Sequence, residues 1–140
     1  MATRTATAQW NGTLKEGNGT MKYGAFEGPY TFASRFESGV GTNPEELVGA
    51  AHAGCYSMFL SALLSGADLK PESITTKAKV TIERDDIGPK ITSISLECEA
   101  KVAGISDADF QGHVQAAKEK CPISRLYAGT EISVTAKLVG

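Results

Sequence analysis

Residues 43–67 read NPEELVGAAHAGCYSMFLSALLSGA. The front of this stretch is a helix start. Asn43 can cap, Pro44 fits the first turn, and Glu46 falls where a capping box wants a carboxylate. The uncharged run Leu47 to Ala67 follows, with 14 of its 21 residues apolar, close to membrane-spanning length. It also holds three glycines, three serines and one histidine, and five of its apolar members are only alanine. A buried helix of a soluble protein is the better reading. The helix should run to about Ser65 with Gly66 ending it, about 33 Å in all. Because it is apolar nearly all round, it needs cover on every side.

The flanks read as sheet. Residues 4–14 and 20–26 are expected as two strands, with Glu16-Gly17-Asn18-Gly19 supplying the hairpin turn. Gly28-Pro29 reads as a further turn. Tyr30, Phe32 and Phe36 alternate with Thr31, Ala33 and Arg35, which predicts a third strand with Arg35 opposite the Phe face. After the helix, Lys70-Pro71 is a break. Ile74, Ala78, Val80 and Ile82 share one parity, as do Ile94, Leu96, Cys98, Ala100 and Val102 beyond the turn Asp85–Pro89. These are two long antiparallel strands with one wet face. Ser106 opens a second helix whose apolar stripe is Phe110, Val114, Ala117 and Cys121. Pro122 stops it, and Ile132, Val134, Ala136 and Leu138 make a last strand. The order β-β-β-α-β-β-α-β is an α+β fold, read as a single domain over residues 1–140.

Composition narrows the function. The 140 residues carry 14 basic and 16 acidic side chains, a net charge of −2. That balance argues against a nucleic-acid partner and against an electrostatic membrane tether. The opening MATRTATAQW has no continuous apolar core, so a secretory signal is not read there and a cytoplasmic chain is expected. Three cysteines, an odd number, point to free thiols rather than a disulfide framework. Two histidines and no Cys-x-x-Cys pair leave little for a metal site. A domain of this size would struggle to wrap the long apolar helix by itself, so two chains are expected to bury their central helices against each other as an obligate dimer.

Cys55 sits in mid-helix within Ala50-Ala51-His52-Ala53-Gly54-Cys55-Tyr56. It reads either as a small core hydrophobe or as a reactive thiol, since Gly54 and the alanines strip bulk from around it. His52, three residues earlier on the same face, would ease loss of the thiol proton if charged, or is a packed core histidine. Cys121 faces the core from the second helix, either as packing or as a second thiol able to close a disulfide. Cys98, between Leu96 and Ala100, reads as packing. Arg35 and Glu45 are the charged candidates. Glu45, in the first helical turn, gains from the dipole but lies about 15 Å along the helix from Cys55. An Arg positioned by Glu and facing the thiol would lower its pKa and could hold a peroxide oxygen as charge develops.

The stretch Thr42-Asn43-Pro44-Glu45-Glu46-Leu47-Val48-Gly49-Ala50-Ala51-His52-Ala53-Gly54-Cys55-Tyr56-Ser57-Met58 resembles the signature of the OsmC family, osmotically inducible thiol peroxidases related to the organic hydroperoxide resistance (Ohr) proteins. Cys121-Pro122-Ile123-Ser124 resembles its second motif, and Ser34-Arg35-Phe36 and Ala50-Ala51-His52 resemble the OsmC subgroup. The likeness covers essentially the whole chain. One departure is Gly54, where many relatives have alanine.

The resemblance implies an intertwined homodimer with central helices wrapped by antiparallel sheets. It also implies a cysteine-based peroxidase of oxidative and osmotic stress defence that needs no metal or haem cofactor. Carried over, Cys55 matches the peroxidatic cysteine, Cys121 the resolving cysteine, and Arg35 and Glu45 the pair that activates the thiolate. The resemblance further implies an organic hydroperoxide as substrate, with hydrogen peroxide used less efficiently, and an external dithiol such as a lipoyl group as reductant. Two other readings stand beside it: a hydrolase or acyltransferase with Cys55 as nucleophile and His52 as base, and a non-catalytic dimer binding an apolar ligand in the inter-chain groove.

Overall fold

The structure, a computed structural model, describes residues 1–140. The chain clusters into two units, Met1–Leu47 and Val48–Gly140. The first holds an antiparallel meander of β1 (Ala6–Asn11), β2 (Asn18–Tyr23) and β3 (Phe26–Tyr30), followed by the short helix α1 (Phe32–Phe36). Trp10 and Tyr30 both pair across from Gly19 on the central strand. Their rings close to 5.3 Å because Gly19 has no Cβ, which would meet both rings at 2.7 Å.

Two expectations are corrected here. Gly28 and Pro29 do not turn; both lie within β3, opposite Met21 and Thr20. The strand is an edge, where a residue without an N–H is tolerated. The stretch through Phe36 is not strand but helix. Thr31 caps it: its Oγ1 accepts from the Ser34 N–H at 3.1 Å while its own N–H donates to Ser34 Oγ at 2.8 Å. Phe32 and Phe36 are four apart, a spacing that satisfies both period 2 and one helical turn; their rings meet at 5.1 Å. The Thr31/Ser34 pair decides between the two.

The long helix α2 runs Pro44–Gly66. Its start is as expected, with the Glu46 N–H donating to Asn43 Oδ1 at 2.8 Å and the Asn43 amide donating to the Glu46 carboxylate at 2.9 Å. The chain reverses after it through Asp68 in the left-handed region, φ 61°. In the second unit, β4 (Pro71–Arg84) and β5 (Pro89–Val102) form the antiparallel pair, Ala78 opposite Leu96 and Val80 opposite Ile94. α3 (Asp107–Lys120) crosses over, so β6 (Glu131–Leu138) joins β5 in parallel, as a helical crossover requires. Pro122 does not simply stop α3. It opens one further turn, α4 (Pro122–Leu126), because proline is suited to a first helical position.

The core of this unit is Tyr56, Leu60 and Leu64 of α2, Ile94, Leu96, Cys98 and Ala100 of β5, and Phe110, Val114 and Ala117 of α3. On α2 the buried residues form one stripe, Gly49, His52, Tyr56, Leu60 and Leu64. The opposite line, Ala50, Gly54, Met58 and Ala62, is exposed, with Met58 at 78%. The helix is long and apolar enough to cross a membrane by length and composition, yet it spends its buried stripe on the core of its own chain.

Candidate active site

In the first unit, α1 and the start of α2 bring Arg35 and Glu45 together. Arg35 Nη2 donates to Glu45 Oε1 at 2.7 Å and Nε donates to both carboxylate oxygens at 3.2 Å. This is the fork geometry that a guanidinium offers and an ammonium does not. Glu45 is buried, and the Arg35 guanidinium lies 5.0 Å from the Phe36 ring centre. The expectation that Arg35 projects from a strand away from the Phe residues is therefore wrong. In a helix the two are neighbours.

In the second unit, Cys55 on α2 and Cys121 at the α3–α4 junction meet at 2.8 Å between sulfurs, both as free thiols. Cys121 is fully buried, while Cys55 is half-buried. The α3 stripe places Cys121, as the 3.6-residue period predicts, and its N–H donates to Ala117 O at 3.0 Å as the helix closes. Cys98 is buried on β5 opposite Thr76, in the packing role expected of it.

Burial pushes the Cys55 thiol up, the neighbouring Cys121 thiol adds to this, and the Ile123 N–H at the start of α4 opposes it. His52 does not supply the charge considered for it. The ring is fully buried, burial lowers its pKa, and it is neutral at physiological pH. Its Nε2 lies 2.7 Å from Ser124 Oγ, and its edge meets the Tyr127 ring at 5.4 Å. Nδ1 has no partner, so no acid orients the ring as the hydrolase reading requires. No cluster of three His, Cys, Asp or Glu side chains is placed to hold a metal ion.

Ser124 is the site neighbour that sequence reading passed over. Its signal was position: it lies three residues from Cys121, as His52 does from Cys55.

Comparisons with known proteins place the chain in a family and a fold. The family described as OsmC-like protein matches residues 37–137. The chain is 47% identical over 122 residues to "Peroxiredoxin OsmC" of Escherichia coli, covering 85% of each chain. It is 31% identical over 94 residues, 65% of each, to an "Organic hydroperoxide resistance protein-like" protein of Staphylococcus aureus. Among solved structures, an OsmC-like protein from Mycoplasma pneumoniae superposes with a TM-score of 0.78 at 16% identity, covering 99% of both chains. The organic hydroperoxide resistance protein OhrB of Bacillus subtilis superposes at 0.70 with 24% identity, covering 96% of this chain and 98% of that one. These last two likenesses establish the α+β fold.

Proposed function

The chain belongs to the OsmC-like family, and on that premise we propose that it is a cysteine-based peroxidase that reduces organic hydroperoxides. The observation that carries this is the 2.8 Å meeting of a half-buried Cys55 with a buried Cys121, the two cysteines of the family's two motifs.

The Cys55 thiolate attacks the outer oxygen of the hydroperoxide. A sulfur–oxygen bond forms, the oxygen–oxygen bond breaks, and the leaving alkoxide takes a proton to become the alcohol. The Cys121 sulfur then displaces hydroxide from the sulfenic acid, which leaves as water, and a Cys55–Cys121 disulfide results. An external dithiol, a lipoyl group being one such, returns both thiols by exchange and is itself oxidised to a disulfide. Cys55 is the more exposed of the two residues and Cys121 is fully buried, which supports this order of roles. The family resemblance gives Arg35 the part of offering positive charge to a thiolate that burial disfavours, and within its own unit Glu45 holds that guanidinium by three hydrogen bonds. Preorganised charge of this kind stabilises the developing oxyanion.

The two units act as one functional domain in a homodimer in the cytoplasm, in defence against oxidative and osmotic stress. The exposed line Ala50, Gly54, Met58 and Ala62 supports the dimer, since an apolar helix face of this length needs cover.

One equivalent of cumene hydroperoxide should yield a Cys55–Cys121 crosslinked peptide by mass spectrometry, with Cys98 still alkylatable. Cys55→Ser should abolish turnover, and Arg35→Ala should slow the peroxide step by about 100-fold or more. Turnover surviving in Cys55→Ser refutes the mechanism; unchanged peroxide kinetics in Arg35→Ala refutes the role given to that residue.

A further inference from the structure

Two segments meet at the thiols, and they meet twice. α2 carries His52 and, three residues on, Cys55; the α3–α4 junction carries Cys121 and, three residues on, Ser124. The sulfurs lie 2.8 Å apart, and one helical turn away His52 Nε2 lies 2.7 Å from Ser124 Oγ. We propose that the His52–Ser124 hydrogen bond is a positioning strut for the second half of the reaction, holding α4 and hence the Cys121 sulfur against Cys55 whenever no covalent bond joins them. This deepens the peroxidase reading above and rests on it.

The need for a strut follows from α4 itself. It has five residues and no side-chain hydrogen bond at its N-terminus, and so short a helix does not hold itself. Cys121 ends α3, its N–H donating to Ala117 O at 3.0 Å, and also caps α4, its carbonyl accepting from the Arg125 N–H at 3.0 Å, so the sulfur is held from one side by α3 and from the other by α4. Beyond the thiol contact and the Ile123 N–H directed at the Cys55 sulfur, the side-chain bonds that tie this segment to α2 are Ser124 to His52 and the weaker Tyr127 hydroxyl to Val48 O at 3.5 Å. His52 is 0% exposed and Ser124 5%, so water does not compete for the bond. The neutral imidazole makes it in either tautomer, donating from Nε2 or accepting there. The peroxide step does not need Cys121 in place. Disulfide closure does, because the second sulfur must reach the first along one line of approach.

The test is single turnover of the full-length protein with one equivalent of cumene hydroperoxide, reading two steps separately. Peroxide loss reports sulfenic acid formation, and quenched samples analysed by mass report the Cys55–Cys121 crosslink. In Ser124→Ala, which removes one oxygen atom, peroxide loss should keep the wild-type rate while crosslinking slows by about tenfold or more, the range expected when a buried partner is left unpaired. The sulfenic acid should accumulate and be trapped by dimedone. His52→Gln, whose amide nitrogen can stand near the Nε2 position, should restore most of the closure rate lost in His52→Ala. Ser124→Ala keeps the test decisive if the His52 variants do not fold. Crosslinking at the wild-type rate in Ser124→Ala overturns the strut. So does equal slowing of both steps, or a His52→Gln variant no faster than His52→Ala. A wild-type protein that consumes peroxide without crosslinking overturns the two-cysteine reading and the strut with it.

Discussion

Removing Cys121 tests the central chemistry most sharply, because the structure sets the size of the effect. With the two sulfurs 2.8 Å apart, both anchored by helices, Cys121 meets the oxidised Cys55 as a near-attack neighbour. Well-oriented intramolecular reactions reach effective molarities of about 10⁵–10⁸ M. Even a value on the order of 1 M, far below that range, outruns an external monothiol of similar reactivity at about 1 mM by about a thousandfold. After one equivalent of hydroperoxide in the presence of such a monothiol, the wild-type chain should carry about 0.1% mixed disulfide on Cys55, the rest being the internal crosslink. Cys121→Ser removes the internal competitor. Its Cys55 should be captured almost completely by the monothiol, and without monothiol it should progress to sulfinic acid under excess peroxide. Intact-protein mass spectrometry separates these products directly. Comparable mixed disulfide in the wild type and in Cys121→Ser would show that the sulfurs do not meet during turnover, and the two-cysteine scheme would fall.

Acid should destabilise the fold through His52. Burial lowers its folded-state pKa below 6.5, so the unfolded chain binds the proton more readily; the contribution is complete above about 6.5 and is lost as pH falls through that value toward the folded pKa. Urea midpoints measured across that window should fall more steeply for the wild type than for His52→Gln, and parallel curves would contradict the assignment. Leu60→Ala, at a fully buried position of α2, should cost about 2–5 kcal/mol in urea denaturation at fixed protein concentration; a loss under about 1 kcal/mol would mean the α2 stripe is not the core it is taken to be. Met58→Glu, on the exposed line of α2, should convert a dimer to monomer in sedimentation velocity, since like charges would face each other across a desolvated interface; a dimer that survives the change would move the interface elsewhere.

Much of this protein was legible in its sequence because local and periodic signals are carried by nearby residues. The Asn43-Pro44-Glu46 start fixes where α2 begins. The period-2 parity of Ile94, Leu96, Cys98 and Ala100 and the 3.6-residue stripe of Phe110, Val114, Ala117 and Cys121 fix which sides face the core. Cys55, Cys121, Arg35 and Glu45 stood out by motif. Where one spacing served two periods, as with Phe32 and Phe36, sequence reading gave a strand, and the Thr31–Ser34 capping pair made a helix. Only the tertiary structure brought residues 55 and 121 within 2.8 Å, made His52 a neutral hydrogen-bonded ring rather than a cation, and paired it with Ser124. Those are contacts between chain segments some seventy residues apart. Burial sets the charge state of such groups, and burial depends on what the rest of the chain packs around them, which no local pattern encodes.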